Sequence, residues 1–380
     1  MNPYQGHVIH VGSYINPACD GAAAALRGQV DSLQAQGTKV SVWQFDVGVN
    51  EVHSSTLESG VTIHRIPRFR QHFLAAVAVP KAARHWIAKH LSHVDFFHLH
   101  SVFTPQNNFL AKLGVPYGVT PQGGWSRQVL KGRRAAAKAV WVALFEKGLW
   151  ADAAFIQAVS IAEERELRQL PKIGRLEFIP NGVNITLPPA NIPKRAPYFL
   201  FLGRLAVEQK GLDLLVKAYS AARREHEHLP DLLIAGPDYR GGGAVLEALV
   251  SRLGLGDKVQ LTGPVFGETK SQLIAGAYVF VHPSRWEGMP LSILEALGQG
   301  TPCLVSQATG LSEWVEARSC GWSTGLDAHD LAKALVRLAS DEKDVWAKAQ
   351  HACSSVRSDY SWANIADRLS SLYGRVARES

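Results

Sequence analysis

Two glutamates, Glu287 and Glu295, stand with seven residues between them inside the segment FVHPSRWEGMPLSILEALGQGTP, residues 280–302. Carboxylates accept hydrogen bonds from sugar hydroxyls and repel phosphate. Pro290 lies between them and is placed to open a helix, where its missing N–H costs nothing. A helix start offers unpaired backbone N–H groups and a partial positive charge, both suited to phosphate. Acids flanking such a start suit a ligand that carries hydroxyls and phosphate together. The alternative is a solvated turn that happens to bear two acids. A second set of groups bears on the choice. Arg204 follows a short apolar run, and Lys210 comes six residues later, before Gly211. Two fixed cations stabilise the charge that develops on a departing diphosphate, most strongly where water is excluded. Otherwise they are a strand-end arginine and a loop lysine in solvent.

These side chains need a scaffold to hold them, and the hydrophobic pattern describes one. In the first half, short apolar runs at residues 7–12, 39–45, 61–66, 95–100, 117–120, 154–158 and 176–180 read as strands. Helical periodicity at 22–36 and 81–91 lies between them. In the second half, strands are expected at 198–202, 231–235, 259–262, 279–282 and 302–305, with a last amphipathic helix at 362–376. Such alternation predicts parallel sheets with helices on both faces. Residues 185–197 hold Pro188, Pro189, Pro193 and Pro197 and read as a linker. The expected division is an N-terminal domain 1–185, a C-terminal domain 186–361, and a final segment 362–380 returning to the first domain. Ligands bind such sheets at the carboxyl ends of their strands, which places the expected site in a cleft between two domains.

The 380 residues suffice for two domains. No apolar run reaches the roughly 18–20 residues that span a bilayer, and residues 8–11 read as a first strand rather than a signal peptide. Cys19, Cys303, Cys320 and Cys353 are scattered without a Cys-x-x-Cys, which reads as reduced thiols in a cytoplasmic protein and no zinc site. Neither Gly-x-Gly-x-x-Gly nor a Gly-Lys-Ser/Thr loop is present, which demotes dinucleotide and ATP readings. The triplet Gly241–Gly243 reads as a flexible loop. The net charge of +7 is unevenly spread. Residues 1–185 hold 19 Lys and Arg against 12 Asp and Glu, whereas residues 186–380 hold 21 of each. Between Glu58 and Glu146, Asp95 is the sole acid against 12 basic residues. That field faces something anionic. Arg127, Lys131, Arg133, Arg134 and Lys138 precede Trp141, Leu144, Phe145 and Trp150. The aromatic stretch reads as core packing, and the cations as a surface suited to an anionic membrane. No nucleic-acid module motif accompanies them.

The segments FLGRL and QKGLD around Arg204 and Lys210, and the Glu-x7-Glu segment with its EALGQGTP tail, resemble retaining glycosyltransferases of family 4, which have the GT-B fold. IPNGVN (179–184) and YSW (360–362) extend the resemblance over nearly the whole chain. It implies two doubly wound Rossmann-like α/β domains facing across a cleft. It also implies transfer of a sugar, with retention, from a nucleotide-diphosphate donor to a hydroxyl of a glycan or lipid-linked acceptor, in bacterial surface polysaccharide or glycolipid assembly. In that reading Arg204 and Lys210 stabilise the leaving diphosphate. Glu287 and the backbone of Gly288, Met289, Pro290 and Leu291 hold sugar and phosphate. Glu295 bonds the ribose, and the backbone near Val265 meets the base. The loop 12–21 stands where the family carries a glycine-rich loop. Asp20-Gly21 replaces the usual Gly-Gly, leaving Gly21 as a phosphate contact or Asp20 as a helix cap. His100, on one strand face with His98, falls where the family places a histidine near the donor sugar. Gln122 occupies a second histidine position, so an amide replaces an ionisable group on the acceptor side. The family works without a metal or other cofactor, and no Asp-x-Asp stands near the cations to hold one. The expected partners are a nucleotide-sugar donor of unspecified base, a glycan or lipid-linked acceptor and an anionic membrane surface, with no nucleic acid. The expected location is the cytoplasm, on the inner face of the membrane if the acceptor is lipid-borne. The rival readings are a GT-B epimerase or phosphorylase, and a non-catalytic sugar-nucleotide or membrane-binding protein.

Overall fold

A computed structural model describes residues 4–15, 21–69, 79–125, 127–131, 135–184 and 198–379. The linker at 185–197, the Cys19–Asp20 part of the first loop, and Arg133 and Arg134 lie outside them. The chain divides into two compact units. One comprises Met1–Gly182 with Trp362–Ser380, the other Val183–Ser361.

The sheet of the first unit is built from β1 (Val8–Val11), β2 (Val40–Asp46), β3 (His53–Thr56), β4 (Thr62–Pro67), β5 (Phe96–His100), β6 (Tyr117–Thr120), β7 (Phe155–Ala158) and β8 (Leu176–Phe178). Their order is β3-β4-β2-β1-β5-β6-β7-β8. All pairs are parallel except β3 with β4. Central strands such as Val-Ile-His-Val of β1 are buried at every position, as a parallel sheet covered on both faces requires. The helix Gly21–Ala35 buries Leu26, Val30 and Leu33 at helical spacing. Against it lies the helix Trp362–Glu379, which buries Ile365, Leu369, Leu372, Tyr373 and Val376. Gly28 makes that crossing close: a Cβ there would stand 2.1 Å from the Trp362 ring.

The second unit carries β9 (Tyr198–Leu202), β10 (Asp231–Ala235), β11 (Val259–Gly263), β12 (Val279–His282), β13 (Cys303–Ser306) and β14 (Gly321–Thr324). The order is β11-β10-β9-β12-β13-β14, parallel throughout. Strand order reverses between β9 and β12 here, and between β1 and β5 in the first unit. Those are the points where open parallel sheets take ligands.

Two expectations are corrected. Gly241–Gly243 is no loose loop. Gly241 caps the helix Gly242–Arg252, and the Asp238 carboxylate accepts from the N–H groups of Gly241 and Gly243 at 2.9 and 2.7 Å. A Cβ on Gly242 would meet the Leu205 carbonyl at 1.9 Å, so the glycine permits that contact. Nor is the stretch 141–150 uniformly core. Leu149 and Trp150 are buried, but Leu144 is 65% exposed and neighbouring Val140 49%. The strands β3 and β14 extend the expected set. Among the described residues no helix is long and apolar enough to cross a membrane.

Candidate active site

In the second unit, the chain leaving β9 passes very close to the chain leaving β10. Gly203 N–H donates to the Ala235 carbonyl at 3.0 Å, and a Cβ on Gly236 would lie 1.9 Å from the Gly203 oxygen. Arg204 emerges there with an exposed guanidinium 5.2 Å from the centre of the Tyr239 ring, within cation–π range. The short helix Val207–Lys210 follows and ends at Gly211, with φ +65°. A Cβ on Gly211 would stand 2.1 Å from the Pro283 carbonyl oxygen. Glycine therefore lets the Lys210 turn press against the start of the loop after β12.

That contact brings together residues 77 positions apart. The buried Lys210 ammonium donates to Glu287 Oε2 at 2.5 Å. Arg285 fastens the same two segments. Its guanidinium makes a two-pronged pair with Asp213 at 2.7 and 2.8 Å and donates to the Glu208 carbonyl at 2.8 Å. Its backbone N–H donates to Gln209 at 2.9 Å. Burial by itself would raise the Asp213 carboxyl, but the hydrogen bonds and charge of Arg285 outweigh it and hold it below the usual range. On the far side, Gly310 N–H donates to the Glu287 carbonyl at 3.0 Å. His282 lies beneath, buried between Phe201 and Phe280, with ring centroids at 5.7 and 6.1 Å. Burial lowers its pKa and the Lys210 charge lowers it further, so it stays neutral.

Glu295 lies on the helix Leu291–Gly298, which Pro290 precedes as the N-cap rather than the first helical residue. Its carboxylate pairs with Lys270 at 2.7 Å. Val265, Met289 and Leu291 are half-buried and pack on one core cluster. Gly288 is half-buried beside Glu287.

In the first unit, His100 ends β5 and is buried. A Cβ on Gly12, just past β1, would lie 3.2 Å from His100 Cβ. Gly21 opens its helix in open space. Gln122 has φ +54°, unusual for a residue with a Cβ. Its amide is matched to Asn181, which donates to Gln122 Oε1 at 3.1 Å and accepts from Nε2 at 3.5 Å. The next residue, Gly123, donates its N–H to Glu163 at 2.5 Å, and Val159 N–H donates to the other carboxylate oxygen at 2.8 Å. Burial nonetheless pushes the Glu163 pKa up to about 7. Behind His100, Ser101 and Phe103 both have positive φ. Glu146 braces that loop, accepting from Phe103 N–H at 2.8 Å and from the indoles of Trp141 and Trp125 at 2.9 and 3.2 Å.

The second unit thus joins Lys210 to Glu287 and sets Arg204 on the adjoining turn, while Glu295 is paired separately. His100, Gln122 and Gly21 belong to the other unit. Sequence reasoning missed Asp213, Arg285, Lys270 and Tyr239. Asp213 lay inside the QKGLD segment already singled out, and Arg285 two residues before Glu287. Lys270 and Tyr239 gave no comparable signal.

The family described as "Glycosyl transferase 4-like domain" matches residues 20–182, and "Glycosyl transferases group 1" matches residues 196–341. A relative from Xanthomonas oryzae pv. oryzae, GDP-mannose:cellobiosyl-diphosphopolyprenol alpha-mannosyltransferase, is 26% identical over 96% of both chains. An uncharacterised glycosyltransferase of Methanocaldococcus jannaschii is 34% identical over 186 residues, 47% of this chain and 45% of that protein. The match therefore spans less than half the length of the first curated relatives. Among solved structures, sucrose-phosphate synthase from Thermosynechococcus elongatus superposes with a TM-score of 0.81 at 22% identity, covering 99% of this chain and 100% of that one. Anabaena HepE in complex with UDP gives 0.74 at 18%, covering 97% and 100%. The two units are the parallel α/β domains of the GT-B fold. The chain belongs to the GT4-type glycosyltransferases.

Proposed function

We propose that the chain transfers a sugar, with retention and without a metal, from a nucleotide-diphosphate donor to a hydroxyl of a glycan or lipid-linked acceptor in bacterial surface polysaccharide or glycolipid assembly. The observation that carries this reading is the buried Lys210–Glu287 contact at the strand-order reversal of the second sheet. Without substrate, the acid compensates the cation. An arriving diphosphate takes over Lys210 and releases Glu287 to accept from sugar hydroxyls. Arg204, exposed on the adjoining turn, adds the second charge. As the glycosidic bond breaks, both cations stabilise the departing diphosphate. The acceptor hydroxyl attacks from the leaving-group face, and the departing phosphate oxygen takes its proton. Glu295 exchanges Lys270 for ribose hydroxyls. The backbone of Gly288, Met289, Pro290 and Leu291 and that of Val265 complete the donor site. Within the first unit, Gly21 and His100 are the candidate donor contacts and Gln122 the candidate acceptor contact.

The full-length relative whose name specifies GDP-mannose and a diphosphopolyprenol acceptor supports a lipid-borne substrate. So does the exposed pair Val140 and Leu144, flanked by exposed Lys131 and Lys147, a mixture suited to an anionic membrane surface on the cytoplasmic side. The test is a panel of nucleotide sugars, screened first by ligand-induced thermal stabilisation and then by nucleoside-diphosphate release with and without acceptor. Turnover that is lost on Arg204→Ala supports the reading. Binding without turnover for every donor and acceptor favours the non-catalytic alternative. Free sugar phosphate as product favours a phosphorylase.

A further inference from the structure

Six buried side chains, five on central strands of the first sheet and Tyr373 on the helix Trp362–Glu379, form one hydrogen-bonded series ending at His100. Gln157 on β7 sets its direction. Its Nε2 donates to the Ile179 backbone carbonyl at 2.7 Å. A carbonyl only accepts, so the amide cannot be turned round, and Oε1 must face the Thr120 hydroxyl at 2.8 Å. Thr120 therefore donates its one proton to Gln157. Its oxygen accepts from His98 Nε2, 2.6 Å away, so that nitrogen carries a hydrogen. His98 Nδ1 is then a lone pair, and the Tyr373 hydroxyl donates to it at 2.7 Å. The Tyr373 oxygen accepts in turn from His10 Nε2 at 3.4 Å. His10 Nδ1 is left as a lone pair opposite His100 Nε2 at 3.0 Å, so His100 donates there. The series ends at His100 Nδ1, which is buried and has no hydrogen-bond partner among the described residues.

These hydrogen positions hold for neutral rings, and the surroundings enforce neutrality. Burial lowers the pKa of all three: His100 to about 3, His10 and His98 well below the ordinary value. The charge of one ring would depress its neighbours further. His10 lies on β1 and His98 and His100 on β5, the two strands between which strand order reverses.

We propose that Gln157, Thr120, His98, Tyr373 and His10 are positioning residues that lock His100 in its Nε2–H tautomer. Nδ1 is thereby presented as a fixed acceptor for a substrate hydroxyl. The hydroxyl's origin rests on the glycosyltransfer reading; the tautomer does not. The three ring nitrogens lie within 4.8 Å of one another, which also raises the prospect of a metal. A metal needs a lone pair from each ring at about 2.0–2.1 Å. Here those of His98 and His10 are already engaged by Tyr373 and His100.

Long-range 1H–15N correlation on histidine-labelled protein at pH 7 reads the tautomers directly. Hydrogen on Nε2 and a bare Nδ1 are expected for all three rings. Tyr373→Phe, which keeps the ring but removes the hydroxyl, cuts the series. The His100 signals should shift toward a mixture of tautomers, and kcat should fall about tenfold, the scale for partners that orient a functional imidazole, with donor KM little changed. A cooperative melt of the variant checks that it folds. Hydrogen on His100 Nδ1, a charged ring at pH 7, zinc bound with loss of ring N–H signals, or unaltered His100 signals in Tyr373→Phe would each overturn the proposal. The expected tautomers without transfer from any donor would uphold the lock and overturn the glycosyltransfer reading instead.

Discussion

The two sheets take their polar groups through the same topological position in opposite ways. In the second unit, charge is met by charge: Lys210 with Glu287, Lys270 with Glu295 and Arg285 with Asp213. In the first unit, the buried histidines are neutral and joined by hydrogen bonds. An ion pair at a partly open site can be exchanged for another anion, because an incoming phosphate repays the cation's lost partner. A buried neutral series offers no such exchange, since breaking one link strands a polar group without water. On the proposed function, a ligand would open the ion pairs of one unit and leave the neutral series of the other as it is.

Removing a charge from the exchangeable set should have the largest effect. Lys210→Met is expected to lower kcat by about 10²–10³-fold. Its donor-free melting temperature should move by only a few degrees, because Glu287 retains some access to solvent. Nucleoside-diphosphate release and a thermal melt measure the two. A large loss of stability with kcat preserved would make the pair structural.

Acid should separate the units next. His10, His98 and His100 have native pKa values below the unfolded value of about 6.5. As pH falls through 6.5, the unfolded chain takes protons that the native first unit refuses. Stability is therefore lost progressively down to about pH 3, where His100 itself titrates. Glu163, pushed up to about 7, and Glu146, also raised by burial, act in the opposite sense, but His7 and His64 are lowered along with the other three, which makes two groups against five. In the second unit, His282 shares the histidine trend, whereas the depressed Asp213 and Asp359 give up their contributions only below about 3.8. Hydrogen-exchange protection at pH 5 should thus fall more in the first unit than in the second. Equal loss would erase the contrast.

Smaller effects sharpen it. Glu295→Gln should raise donor KM about tenfold with kcat little altered, the signature of lost ground-state binding. An unchanged KM would leave Glu295 as a partner of Lys270 alone. Arg285→Lys keeps the charge but loses the two-pronged geometry. It should cost the second unit about 1 kcal/mol, read by denaturant unfolding, with a few-fold drop in kcat as the Lys210 and Glu287 loops loosen.

The buried strands were legible in the sequence because apolar runs such as Val-Phe-Val-His and Tyr-Phe-Leu-Phe-Leu tolerate little else. The strand β3, His-Ser-Ser-Thr, is exposed at every position and carries no such pattern. The strand β14 begins on Gly321 and alternates weakly. Gly241–Gly243 misled because glycine marks both freedom and close approach, and only the Leu205 carbonyl shows which applies. At the candidate site, the residue types of Arg204, Lys210, Glu287 and Glu295 could be read. Their pairing could not, since Lys210–Glu287 and Lys270–Glu295 depend on which loops and helices adjoin. His98 and His100 could be placed on one strand face. Tyr373, 275 positions beyond His98, could not be connected to it from spacing.

The helix Trp362–Glu379 completes the first unit but is encoded after the whole of the second. A ribosome making this protein therefore delivers every residue of Val183–Ser361 before Tyr373 exists to meet His98 and His10. The first unit, begun first, is the last to have all of its residues.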